Sequence, residues 1–146
     1  METISRELTE LVASVSAKLA RIDDARAATR PAQGEWSRKE ILGHLIDSAA
    51  NNHQRFIRSQ IQNPLSFPPY AQEDWVRLQA YNACPWEQLI ELWKAYNLHL
   101  AWIIDQVPAG ALDNACTIGD GPPVSLDFLI TDYMRHMELH MAQLGY

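Results

Sequence analysis

Apolar residues recur along most of this chain at three- and four-residue intervals, the spacing of one face of an α-helix. Leu8, Leu11, Val12, Val15, Leu19 and Ile22 form the first stripe and predict a helix from about Ser5 to Ala28, closed by Pro31 and Gly34. A second helix is predicted from Ser37 to about Gln62. The Ser37 hydroxyl can cap it, Glu40 three residues on completes a capping box, and Asn63-Pro64 stops it. Pro64 to Pro69 reads as a loop, and Gln72 to Gln79 as one short extra helix. Leu89, Leu92, Trp93, Tyr96, Leu100 and Ile103 mark a third long helix, with Pro85 in its first turn and its end before Pro108. Proline costs no hydrogen bond in a first turn. After the turn cluster that opens at Gly119, Ser125 caps a final helix running almost to the C-terminus. No strand-like alternation rivals these stripes, and no repeat is present. The pattern predicts an all-α four-helix bundle as a single domain over residues 1–146.

Composition narrows the function more than the fold. With 47% apolar and 21% charged residues the chain can bury a sizeable core. A net charge of −6 without any basic stripe argues against a nucleic-acid partner, whose phosphates demand Lys and Arg. No apolar run approaches the roughly 18–20 residues of a membrane span. The charged, amphipathic stretch from Met1 to Leu8 is no signal peptide, so a cytoplasmic protein is expected. Cys84 and Cys116 are far apart and form no CxxC pair; reduced thiols are expected of both.

The candidate chemistry lies in the histidines. His136 and His140 are four residues apart on the last helix, so they lie one above the other on one face. They fall at the edge of the stripe made by Leu126, Leu129, Ile130, Tyr133, Met137, Met141 and Leu144. That placement suits a metal pair aimed into a cleft, and it equally suits ordinary boundary histidines. Met137 stands where a zinc protease of the HExxH type needs Glu, which excludes that class. His44 on the second helix shares its face with Ser48, Asn51 and Arg55, with Asp47 to one side. Alone, this reads as a solvated face; the alternative is the polar wall of an open cleft. In that alternative Asp47 supports His44 or a bound water, and Arg55 meets an anionic or polar substrate group. His53 reads as a partly buried structural residue, His99 as a packing residue, and Trp75, Trp86, Trp93 and Trp102 as core and boundary residues.

Taken in order, Trp36, the run from His44 to Ser48, Arg55, and the His136/His140 pair resemble the DinB-like superfamily, most closely its YfiT-type metal-dependent hydrolases. The segment Pro69 to Trp75 resembles the inter-helix loop and short helix of the same group, and the resemblance spans essentially the whole chain. It implies a four-helix bundle, often a homodimer, in which His44, His136 and His140 hold a divalent metal, zinc or nickel. It also implies a small-molecule substrate, and for some members a low-molecular-weight thiol such as bacillithiol or mycothiol as cosubstrate. The chain departs from the commonest pattern at Leu139, where many relatives have a second adjacent histidine, and at Ala49, where close relatives often carry a polar residue or histidine. Neither change removes a proposed ligand.

Three neutral imidazoles would leave a divalent ion strongly Lewis-acidic. Such an ion can activate water for hydrolysis or hold a thiol as its thiolate. The expectation is therefore a metal-dependent thiol-S-transferase or hydrolase acting on small electrophiles, with Asp47 and Arg55 as candidate helpers. Two alternatives stand beside it: a protein that sequesters a metal or small molecule without turnover, and a dimeric bundle with a vestigial site.

Overall fold

A computed structural model of the chain describes residues 1–146. Its long helices are α1 (Glu2–Leu19), α3 (Arg38–Ile61), α5 (Trp86–Gln106) and α6 (Leu126–Gln143). Two short helices, α2 (Asp24–Ala28) and α4 (Gln72–Leu78), and 3₁₀ turns at Tyr81–Ala83 and Ala109–Ala111 fill the connections. The predicted four-helix bundle and its short extra helix are present. Around the bundle α1 packs on α5, α5 on α3 and α3 on α6, with a lighter α6–α1 contact closing the ring. Successive long helices α1 and α3 thus lie across the bundle from one another, as do α5 and α6. This order puts the histidine-bearing faces of α3 and α6 against each other.

The predicted first helix is broken. Leu19 ends α1, and the indole N–H of Trp86 donates to its carbonyl at 3.1 Å. Asp23 then restarts the chain by accepting from the Arg26 N–H. Asp24 fixes the new direction, accepting from the Trp86 N–H at 2.8 Å and pairing with the buried Lys39 at 2.9 Å. The second helix begins as its sequence predicts. The Ser37 hydroxyl accepts from the Glu40 N–H, and the Glu40 carboxylate accepts in return from the Ser37 N–H. Arg30 grips that carboxylate with two hydrogen bonds, which holds it well below the usual carboxylate range.

A small sheet is the element the hydrophobic pattern does not reveal. Its strands β1 (Leu65–Phe67), β2 (Ala115–Ile118) and β3 (Val124–Ser125) pair in that order, the first pair parallel and the second antiparallel. Strands of two to four residues cannot display an alternation. They are joined by contacts distant in sequence: the Asn63 side chain accepts from the Ala115 N–H, and Asn114 donates to the Ser59 carbonyl at the end of α3. The sheet and α4 close over the side of α3 that α5 leaves open, and the third side meets α6. Every residue from Lys39 to Ala49 is consequently buried, polar ones included. Leu42, Leu45 and Phe56 of α3, Trp93, Leu100 and Ile104 of α5, and Ile130 and Met137 of α6 form the central core with Leu8 and Leu19 of α1. Trp86 and Trp93 are buried as expected, whereas Trp102 is 66% exposed; His99 is exposed, with its ring edge-on to His53 at 5.3 Å. Cys84 and Cys116 are both free thiols.

Gly43 controls how closely the Tyr81–Ala83 turn approaches α3. A Cβ at Gly43 would stand 2.2 Å from the Tyr81 ring, far inside contact distance. The absent side chain lets Tyr81 lie on the helix and place its hydroxyl 2.6 Å from Asp47 Oδ1. Glycine to alanine within a helix normally stabilises by about 1 kcal/mol. Here the displaced ring loses its packing and a hydrogen bond to a carboxylate, together about 3 kcal/mol. Gly43→Ala is therefore expected to lower stability by about 2 kcal/mol, read as a reduced urea midpoint at unchanged slope.

Candidate metal centre

His44 projects from the second turn of α3 toward α6, where His136 and His140 stand one turn apart. The Nε2 atoms of His44 and His136 are 3.2 Å apart, as are those of His140 and His136. The candidate ligand atoms of all three rings lie within 4.8 Å of one another. His44 is 1% exposed and the other two are half-buried. The face of α3 that reads as solvated in sequence is instead enclosed, because α6, α4 and the sheet cover it.

Several side chains orient these rings. The Trp36 ring packs against His44 at a centroid distance of 5.1 Å. Gln143 Oε1 lies 2.9 Å from His140 Nδ1; an amide oxygen only accepts, so Nδ1 carries a proton, the tautomer that leaves Nε2 as the ligating nitrogen. Asp47 does not reach His44. Its Oδ1 accepts from Gln79 at 2.8 Å and from the Tyr81 hydroxyl, Oδ2 is buried without a partner, and burial raises its pKa. His44 Nδ1 likewise has no protein partner.

The donor set fits a cation. Three Nε2 atoms converge, and at most one hydrogen bond can form between any two of them, which leaves lone pairs facing one another. A metal ion satisfies all three together. A zinc–nitrogen distance of about 2.0–2.1 Å gives a tetrahedral edge of about 3.3–3.4 Å, close to the two 3.2 Å separations. His44 and His136 are also held in the ligating, neutral form. Burial first, and then mutual repulsion, lowers His44 to about 3; burial followed by His140 lowers His136 to about 4.

Beside His136 an open cavity of about 370 Å³ runs between α3, α6 and the sheet, lined on its polar side by Ser48, Asn52, Arg55 and Tyr70. Burial pushes the Tyr70 hydroxyl up to about 12, so it remains a neutral donor. Arg55 therefore shares a cavity with one of the three histidines, whereas Asp47 is held to the Tyr81 turn. Elsewhere, His53 is half-buried as expected, with Nδ1 3.2 Å from the Tyr96 hydroxyl, and stands apart from the centre. Sequence reasoning missed Gln143, Gln79, Tyr81 and Tyr70. Only Gln143 carried a signal, its three-residue spacing from His140.

The depressed histidines link stability to pH. Unfolded imidazoles protonate near pH 6.5, while His44 and His136 stay neutral in the fold until about 3 and 4. The unfolded chain therefore binds more protons throughout that window, so unfolding becomes easier as pH falls. Metal-free protein is expected to hold constant stability above about pH 7 and to lose it steadily from about pH 6.5 toward 4. Denaturant melts at stepped pH test this, and His136→Gln should flatten the slope.

The fold is shared with known structures. YfiT from Bacillus subtilis, a probable metal-dependent hydrolase with an unusual four-helix bundle topology, superposes with a TM-score of 0.80 at 19% identity, covering 94% of this chain and 82% of its own. The mycothiol-dependent maleylpyruvate isomerase superposes with a TM-score of 0.72 at 18% identity over 99% of this chain, which spans only 59% of the isomerase. No curated protein sequence matches the chain. The family model of the DinB superfamily matches residues 7–144, nearly the full length, and the chain belongs to that superfamily.

Proposed function

We propose that this protein is a metal-dependent enzyme acting on small electrophilic molecules, a thiol-S-transferase or a hydrolase, in which His44, His136 and His140 hold one zinc or nickel ion. The convergence of three imidazole Nε2 atoms at the α3–α6 seam carries this reading. Three protein ligands leave coordination positions open, as catalytic sites do and structural sites do not. A divalent cation there supplies Lewis acidity, which lowers the pKa of water from about 15.7 to about 7 or keeps a thiol in its reactive thiolate form.

The chain's own residues provide orientation and surroundings. Trp36 and Gln143 fix two of the rings, and ligand orientation of this kind typically changes metal affinity 10–100-fold. Ser48, Asn52, Arg55 and Tyr70 offer a polar wall on which a substrate can be positioned. Asp47 orders the Tyr81 turn over α3 by accepting from the Tyr81 hydroxyl. Neither Cys84 nor Cys116 lines the cavity, so a thiol nucleophile would come from a small molecule. The hydrolase character of YfiT supports one arm of the proposal and the mycothiol dependence of the isomerase the other.

Elemental analysis of untagged protein tests the metal directly. About one zinc or nickel per chain is expected in the wild type, and loss of that metal together with activity in His136→Ala. A wild type that takes up neither ion, even after incubation with both, would overturn the proposal. Dependence of turnover on an added low-molecular-weight thiol then separates transferase from hydrolase.

A further inference from the structure

One charge in the cavity beside His136 lacks a counter-charge. Arg55 is 9% exposed, and its Nε makes no hydrogen bond. Its polar contact is a long 3.4 Å bond from a terminal nitrogen to the Asn52 amide oxygen, and its guanidinium stands 5.4 Å from the Phe67 ring. The chain's ion pairs are Arg30–Glu40, Lys39–Asp24, Arg77–Asp74 and Arg135–Asp132; Arg55 is in none of them. Asp132 is the one carboxylate lining the cavity, and it is bound to Arg135 at 2.6 Å. Buried charges are normally paired because an unpaired one forfeits its hydration. A guanidinium cannot escape by losing its proton, since it stays charged at any ordinary pH.

Position makes this charge useful. His44, Ser48, Asn52 and Arg55 follow one another along one side of α3, so the histidine and the arginine are about 16 Å apart along the axis at 1.5 Å per residue. Helical side chains lean toward the N-terminus, which turns the Arg55 head back toward His44. A planar fork of donors at one end of a groove matches a carboxylate or another oxyanion.

We propose that Arg55 is the receptor for an oxyanion on the molecule this protein acts upon, so that its ligands are bifunctional: anionic at the Arg55 end and reactive or metal-seeking at the histidine end. The assignment rests on the metal-centre reading for the second half of that statement. The first half stands on Arg55 and the cavity alone. Arg55 is here a specificity determinant: removing it changes which molecules bind, while the three histidines remain in place.

The test uses 6-mercaptohexanoate and its neutral counterpart 6-mercaptohexanol, titrated calorimetrically into zinc-loaded protein. Wild type is expected to bind the carboxylate about tenfold or more tightly than the alcohol. Arg55→Gln should erase that preference and leave alcohol affinity and zinc content unchanged. Arg55→Lys, which keeps a charge without the fork, should retain part of it. Equal affinities in the wild type, or a preference that survives in Arg55→Gln, would overturn the proposal. Should Arg55→Gln not fold, the wild-type comparison and Arg55→Lys still decide. Hexanoate added to metal-free protein, followed by the Arg55 Nε–H resonance, separates the two readings. A shift there with no zinc uptake would sustain the anion site and sink the metal centre, and no shift would sink the anion site whatever the zinc result.

Discussion

The seam between α3 and α6 is the constraint on which the site depends. Where these helices pack, the buried His44 from α3 meets the half-buried His136 and His140 from α6, and their nitrogens stop 3.2 Å apart. Burial removes from His44 and His136 the option of protonation that exposed histidines would have near neutral pH, so these two rings remain neutral donors to whatever occupies the gap. The same exclusion of water strengthens any electrostatic interaction made there.

The rest of the architecture keeps that seam in register. Between α5 and α6 the Tyr133 hydroxyl donates to Asn97 Oδ1, and the Asn97 amide donates in turn to the Trp93 carbonyl, in a fully buried chain of bonds. Phe56 meets the Tyr133 ring edge-on, tying the far end of α3 to the same point. The sheet and the Tyr81 turn shield the outer side of α3, which lets a helix rich in Asp, Ser, Asn and Arg lie inside the protein. Buried polar groups of that number are tolerable because most are paired: Asn51 and Asn52 donate to carbonyls one turn back, and Asp47 takes two hydrogen bonds. Those left over are Arg38 Nε, His44 Nδ1, Asp47 Oδ2, Arg55 Nε and Ser59 Oγ along α3, and Trp93 Nε1 on α5. Arg55 Nε is the one among them whose residue lines the cavity beside His136.

Much of this was legible in one dimension. The periodic stripes located the four long helices, the Ser37/Glu40 box and Ser125 marked two helix starts, and the i, i+4 spacing of His136 and His140 placed them on one face. Local rules suffice there because each signal involves residues within one or two turns. The break at Leu19 was not legible, since it depends on Trp86, which is 67 residues away. The sheet was hidden because its strands are too short to show a pattern and its first pair joins residues about fifty positions apart.

His44 shows the boundary most clearly. Its neighbours on the helix wheel are polar, and polarity alone says solvent. The sequence by itself determined the helices, their caps and the pairing of His136 with His140, because those follow from backbone periodicity and from short-range hydrogen bonds. Only the tertiary structure decided that the polar side of α3 is interior, that His44 meets a pair 92 residues downstream, and that Arg55 faces a cavity without a counter-charge. Burial and convergence belong to the arrangement of helices around the core, and no residue's immediate neighbours in the chain encode that arrangement.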